Sequence, residues 1–319
     1  MTEQLIDLIV EGRRVDCGDI LRLALKRADG GSLPASEAGA HIELALPNGA
    51  DTLYRQYSLY NDPAEKDVYR LGVLKDPNGR GGSTLVHELA QIGAKIAAST
   101  PRNHFPLVES AERTVLIGGG IGITPMIAMA WRLQALGCDF ELHYCARSRS
   151  RAAFLDLLNA APFAHRVSLH FDDEDSAFDP QSLPYAAIDT HVYVCGPQGF
   201  MDWIIDAAEA AGHAPANVHR EYFNAAVDAS GEAFLVEARA SGVIVTVGPD
   251  CTIVKALADV GINIEVKCEE GVCGTCLVDV LEGTPDHRDY FLTDEEKAEN
   301  VEMTVCCSRA HSKKLVLDI

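Results

Sequence analysis

Residues 268–276 read CEEGVCGTC, and a doublet, Cys306–Cys307, follows further along the chain. The spacing is C-x4-C-x2-C followed by one later cysteine, the ligand pattern of a plant-type 2Fe–2S cluster. A loop wrapped around such a cluster must aim backbone N–H groups at sulfur. Gly271 and Gly274 permit the backbone conformations that this requires, and small Thr275 keeps bulk off the metal. Zinc is the competing reading, but its sites usually show two C-x2-C pairs without such glycines. The doublet leaves the fourth ligand open between Cys306 and Cys307. Cys17, Cys138, Cys145, Cys195 and Cys251 stand alone in the sequence and read as packing residues.

Composition supports a metal or redox use of the thiols. The chain has 319 residues, enough for two or three domains, and ten cysteines. Its first residues, MTEQLIDLIVEGRRV, lack an export-signal pattern, and no apolar run approaches membrane-spanning length. A reducing, cytoplasmic setting follows, in which thiols serve metals more often than disulfides. The formal charge of −20 disfavours nucleic acid and anionic membranes as partners.

Outward from the cysteines, three textures succeed one another. Residues 1–108 give short alternating runs, HIELAL (41–46), YRQYSLY (54–60) and VYRLGVL (68–74), separated by turn clusters. Such spacing predicts an antiparallel β-barrel or sandwich, with STLVHELA as a short helix beginning at a Ser cap. Residues 109–226 alternate strand and helix: RTVLI before TPMIAMAWRLQAL, FELHYCA before RAAFLDLLNA, RVSLHF, and HVYVC before GFMDWIIDAAEAAG. That alternation predicts βαβ units around a parallel sheet. The acidic run FDDEDSAFD (171–179) reads as a solvated loop. Residues 227–232 are small and polar, a linker. Residues 233–319 then supply a hairpin, a helix and the strands CLVDVLEG and KLVLDI around the cysteines.

Two glycine-punctuated turns carry nucleotide chemistry. IGGGIGITP (117–125) lies between a strand and a helix, where free N–H groups favour an anion. Thr124 is a candidate N-cap, with Pro125 at the first helical position. The run does not fit G-x-G-x-x-G, because Ile123 stands where the third glycine belongs, so by pattern alone a plain tight turn remains open. CGPQGFM (195–201) is the second such turn. Upstream, GRGGSTLVHEL (79–89) offers a further anion cradle.

CEEGVCGTC with the downstream CCSRA closely resembles the C-terminal ferredoxin domain of the phthalate dioxygenase reductase family, which includes the vanillate O-demethylase reductases. The resemblance implies Cys268, Cys273, Cys276 and Cys306 as metal ligands, with Cys307 facing away as a small apolar residue. GGGIGITP and CGPQGFM resemble the pyridine-nucleotide domain of the ferredoxin–NADP reductase superfamily. This implies Gly119, Gly120, Gly122 and Thr124 at the pyrophosphate, and Cys195, Gly196 and Pro197 beside the nicotinamide. RQYSLYN (55–61) resembles the superfamily's flavin motif R-x-Y-S. Arg55 would then meet flavin phosphate, Tyr57 and Leu59 would line the isoalloxazine, and Ser58 would reach its N5. Gly81, Gly82, Ser83 and Thr84 would hold a terminal phosphate, which favours FMN over FAD. Gly72, Val73 and Lys75 complete the implied flavin site. Phe223, in HREYFNA, would lie against the flavin ring.

The resemblance covers essentially the whole chain in the order FMN, NAD, 2Fe–2S, and implies a β-grasp ferredoxin fold for the last segment. Nicotinamide gives electrons in pairs as hydride and a 2Fe–2S cluster takes them singly; a flavin manages both. The expectation is therefore an oxidoreductase that takes hydride from NADH. It would pass single electrons through FMN and the cluster to a Rieske-type oxygenase, with Ser58, Thr124, Cys195 and Phe223 at the reaction centre. No acid–base dyad is expected among the histidines. A monomer is expected, docking through an acidic face to which Glu269, Glu270, Asp279 and Asp286 contribute. Arg147, Arg149 and Arg151 leave NADPH open as the donor. A stand-alone diaphorase or flavin reductase with small-molecule acceptors, or an electron-transfer subunit of a larger complex, are the alternatives.

Overall fold

A computed structural model of the chain describes residues 5–183, 189–223 and 227–319. It divides into two compact units, Met1–Phe223 and Asn224–Ile319. The first unit holds a barrel lobe and an α/β lobe.

The barrel lobe is built from β1 (Ile6–Val15), β2 (Ile20–Arg27), β3 (His41–Asn48), β4 (Asp51–Ser58), β5 (Tyr69–Leu74) and β6 (Lys95–Ala98), with helix α1 (Gly82–Leu89) between the last two. Strand order is β4-β3-β6-β1-β2-β5, antiparallel throughout. The edges meet through a bridge between Leu59 and Leu71, so the sheet curls on itself and protects its edge groups. Inward positions of β1, β2, β3 and β5 supply Leu8, Leu23, Leu44, Leu71 and Val73 to an apolar core. Helix α1 does not begin at a Ser cap as expected. Gly81, at φ +80°, precedes Gly82, and the Ser83 hydroxyl instead accepts from the backbone N–H of Asp76 at 3.0 Å.

The α/β lobe contains β7 (Arg113–Gly119), α2 (Ile123–Leu136), β8 (Asp139–Ala146), α3 (Leu155–Ala160), β9 (Val167–Phe171), β10 (Thr190–Cys195), α4 (Gln198–Ala210) and β11 (Val218–Glu221). The order β11-β10-β7-β8-β9 is parallel at every pairing. The order reverses between β10 and β7, the switch point where open α/β sheets bind ligands. Helix α2 ends on Gly137 at φ +72°, but begins two residues early, at Ile123 with Gly122 as its N-cap. The Thr124 hydroxyl donates back to the carbonyl of Ile121 at 3.0 Å rather than accepting from the first turn. The acidic run is exposed at Asp172–Asp175, while Phe171 and Phe178 turn inward.

The second unit comprises β12 (Phe234–Ala238), β13 (Val243–Val247), α5 (Ile253–Ala258), β14 (Leu277–Glu282), β15 (Pro285–Asp286), α6 (Asp294–Glu299), β16 (Glu302–Thr304), β17 (Arg309–Ala310) and β18 (Lys314–Leu317). The sheet order is β13-β12-β18-β14-β16, with β12 and β18 parallel and α5 packed against the hairpin, the β-grasp arrangement. Residues 228–232, expected to be a linker, are hydrogen-bonded onto this unit. Arg288 donates to the carbonyls of Asp228 and Ser230 at 2.5 and 2.7 Å. Buried Arg309 donates to Ala229 and Glu232, and to Cys251 and Gly248, while its guanidinium lies over Phe234.

Candidate functional site

The two glycine-punctuated turns end β7 and β10, adjacent strands in register from Thr190↔Arg113 to Cys195↔Gly118. They press together with no room for side chains. A Cβ on Gly122 would lie 2.2 Å from the carbonyl oxygen of Cys195, and one on Gly119 or Gly196 would strike the Phe200 ring. Gly120 takes φ +57°, open to solvent on its Cβ side. Pro197 precedes the first turn of α4. A cavity of about 800 Å³ opens over these turns. Gly119, Gly120, Ile121, Pro197 and Phe200 line one part of it. Arg147, Arg151, Asp172 and Phe178 line another, and Lys75 and Asp76 close it from the barrel lobe. Arg149 is occupied elsewhere, by Glu174 at 3.2 Å and by the face of Phe171.

On the barrel side, β4 carries Arg55, Tyr57 and Ser58. The Arg55 side chain crosses the start of α1, so that a Cβ on Gly82 would sit 2.3 Å from its Nε. Arg55 Nη1 donates to the carbonyl of Tyr54 at 2.8 Å. Gly81, Gly82, Ser83 and Thr84 therefore present the N-terminal turn of α1 beside a guanidinium, a donor set suited to a phosphate monoester. Tyr57 packs against the barrel core, and burial pushes its phenol up. The side chains of Leu59 and Val73 point into that core, leaving only their backbone for a ligand, and the Val73 carbonyl already holds His87. Gly72 is squeezed by Phe154, Thr124 and Ile121, which gives it a packing role between the lobes.

The lobes meet at Ser58, whose hydroxyl donates to Glu221 at 3.2 Å. Glu221 is opposite Cys195 in the β10–β11 ladder. Desolvation pushes its carboxyl up to about 8, against the opposing pull of Ser58. Burial holds Cys195 as a neutral thiol. Phe223 follows two residues later and is exposed. Sequence reasoning assigned Phe223 from HREYFNA and passed over Glu221 in the same motif. The only signal for it was an acid at the end of a strand.

In the second unit the cysteine loop uses three left-handed residues, Glu269, Gly271 and Gly274, at φ +53°, +72° and +71°. A Cβ on Gly274 would enter the Phe291 ring, and one on Gly271 would meet Cys307 Sγ. The N–H of Glu270 points at Cys268 Sγ, 3.4 Å away, and Cys273 Sγ donates to the Thr275 hydroxyl. Thiol contacts pair Cys268 with Cys273 and Cys276 with Cys306, with Cys306 also reaching Cys268 and its neighbour Cys307. Two linked thiol pairs fit a binuclear cluster. Cys307, expected to face away as a small apolar residue, is buried in the apolar core of this unit with polar neighbours at its sulfur. Its sulfur lies 3.3 Å from the Thr304 hydroxyl and 3.9 Å from that of Ser308. No disulfide joins any of the ten cysteines.

Comparison with known proteins agrees with this geometry. Residues 236–311 match the 2Fe-2S iron-sulfur cluster binding domain family. The chain is 49% identical to the vanillate O-demethylase oxidoreductase of Pseudomonas sp. strain HR199, over 99% of this chain and 100% of that one. The crystal structure of phthalate dioxygenase reductase, described as modular for electron transfer from pyridine nucleotides to [2Fe-2S], superposes with a TM-score of 0.73. It is 37% identical and covers 99% of this chain and 98% of its own. An intact self-sufficient cytochrome P450 monooxygenase matches at TM-score 0.86 and 38% identity; the chain spans 41% of that protein's length. The chain belongs to the phthalate dioxygenase reductase family, the oxidoreductases that serve as reductase components of oxygenase systems. No helix among the described residues is long and apolar enough to cross a membrane.

Proposed function

We propose that this chain takes electrons from NADH and delivers them one at a time, through FMN and a 2Fe–2S cluster, to a Rieske-type oxygenase of the demethylase or aromatic-ring dioxygenase kind. It does so as a cytoplasmic monomer. The observation that carries the reading is the meeting of Ser58, from the barrel lobe, with Glu221 and Cys195 at the mouth of the nucleotide turns. When bound, the nicotinamide supplies a hydride, the flavin accepts pairs and releases single electrons, and the cluster carries them singly.

The chain's own residues position and shield. Arg55, Gly82, Ser83 and the N-terminal turn of α1 would hold the FMN phosphate, and Tyr57 would flank the ring. The backbones of Gly119, Gly120 and Gly122 would approach the pyrophosphate, with Gly196 and Pro197 bordering the nicotinamide. Neutral Cys195 keeps charge away from a hydride path, and Ser58 with Glu221 holds a proton beside the flavin's reacting edge. Exposed Phe223 would cover the ring until the nicotinamide arrives. Cys268, Cys273, Cys276 and Cys306 would carry the cluster.

Anaerobic NADH titration of the purified protein tests this. Bleaching of both flavin and cluster absorbance is expected, with FMN and two irons per chain. Cys306→Ser should keep ferricyanide reduction but lose electron delivery to an oxygenase, while Cys307→Ser should keep both. Release of FAD, absence of iron, or full quinone reduction with no gain from any oxygenase would overturn the reading.

A further inference from the structure

Beneath the cysteine loop lies a buried polar network that plays no part in the function proposed so far. Asp289 is 3% exposed. Its Oδ2 accepts from the backbone N–H groups of Phe291 and Leu292, at 3.2 and 2.8 Å. Its Oδ1 accepts from the Ser308 hydroxyl at 3.4 Å. Ser308 Oγ in turn accepts from the N–H of Arg288 and lies 3.2 Å from Thr304 Oγ1, which reaches Cys307 Sγ. Every resolved hydrogen-bond partner of the Asp289 side chain is a donor, so the group is satisfied as a carboxylate, which accepts and does not donate. His287 Nδ1 lies 3.7 Å from Oδ1, and burial favours the neutral form of that imidazole. Lys297 is turned to the Asp289 main-chain carbonyl instead, at 2.7 Å.

The position of this carboxylate is set by the loop itself. A Cβ on Gly271 would meet Asp289 Cα and Cβ at 3.0 and 3.1 Å, and the N–H of Tyr290 donates to the Gly271 carbonyl at 2.9 Å. Gly271 lies between Cys268 and Cys273. Asp289 thus braces the loop at its left-handed turn, while Ser308 ties it to the segment carrying Cys306 and Cys307.

We propose that Asp289 is a positioning residue for the cluster-binding loop and that its buried charge lowers the potential at which the bound cluster accepts an electron. Groups behind the ligands orient them and set a cluster's potential through hydrogen bonds and net charge. A fixed negative charge in a poorly solvated interior disfavours the arrival of another. The inference rests on the 2Fe–2S reading above.

The test uses the full-length holoprotein. Asp289→Asn keeps the shape and removes the charge. It should retain iron and sulfide, shift the midpoint potential of the cluster to a more positive value, and alter the EPR g-values of the reduced protein. Ser308→Ala keeps the charge but removes a hydroxyl that delocalises it, and should shift the potential the opposite way. Asp289→Asn that loads its cluster and leaves potential and EPR unchanged would overturn the proposal. If Asp289→Asn does not fold, a Ser308→Ala protein with wild-type potential and EPR would overturn it. Wild-type protein without iron would overturn the cluster reading itself, a separate result.

Discussion

Ser58 and Glu221 lie 163 residues apart in sequence and share a 3.2 Å hydrogen bond where the two lobes of the first unit meet. Glu221→Ala should slow flavin reduction by NADH about 10- to 100-fold, the scale of a reacting pair displaced by an ångström. Stopped-flow absorbance of the flavin reads this directly, and an unchanged rate would remove Glu221 from the site.

The same residue should leave a mark on stability. An unfolded glutamate titrates near 4.3, and desolvation in the fold pushes Glu221 up to about 8. Between those values the folded protein keeps a proton that the unfolded chain has released. Its stabilising contribution is therefore complete at low pH, falls as pH rises through the window, and levels off above 8. The wild-type melting temperature should decline more steeply from pH 5 to pH 8 than that of Glu221→Gln. Parallel curves would contradict the assignment.

Gly82→Ala places a methyl group where Arg55 Nε lies, 2.3 Å from the ideal Cβ. The guanidinium must move, and a charge-assisted contact to phosphate is lost, which is worth about 1.5–3 kcal/mol. FMN should bind roughly 10- to 100-fold more weakly by fluorescence titration. Wild-type affinity would show that Arg55 does not contact the phosphate.

Asp172 faces the same cavity as Arg147 and Arg151, whereas Arg149 is held by Glu174. A carboxylate there suits a ribose hydroxyl and repels a 2′-phosphate. Asp172→Ser should raise kcat/KM for NADPH relative to NADH. A ratio unmoved by the substitution would place the adenosine elsewhere.

The strap at 228–232 predicts where the ferredoxin unit begins. A fragment starting at residue 227 should fold and melt well above one starting at 233, because the shorter piece strips Arg288 and Arg309 of the carbonyls of Asp228, Ala229, Ser230 and Glu232. Loss of carbonyl partners around a buried guanidinium is costly. Equal melting temperatures by circular dichroism would disprove it.

What could be read from the chain beforehand was whatever is written locally. The cysteine loop announces itself because three cysteines and two left-handed glycines fall within nine residues. The nucleotide turns announce themselves because close backbone contact admits only glycine, as at Gly122 against Cys195. Glu221 was not legible, since its meaning comes from a parallel ladder and from a serine in another lobe. Asp289 was hidden for the same reason, its role fixed by Gly271 and Ser308 on distant segments. Cap assignments failed at Thr124 and Ser83 because both hydroxyls found tertiary or upstream partners, Ile121 and Asp76, that a local rule does not see.

Strand β18 lies in the middle of the ferredoxin sheet, between β12 and β14, yet it follows every other strand of that sheet in the chain. A ribosome extends the chain by about 5–20 residues each second, and domains fold as units. The first unit can therefore fold during synthesis, while the cysteine loop must wait for residues 314–317 before its sheet exists. Every cysteine of the loop and of the doublet thus precedes, along the chain, the strand that completes their sheet.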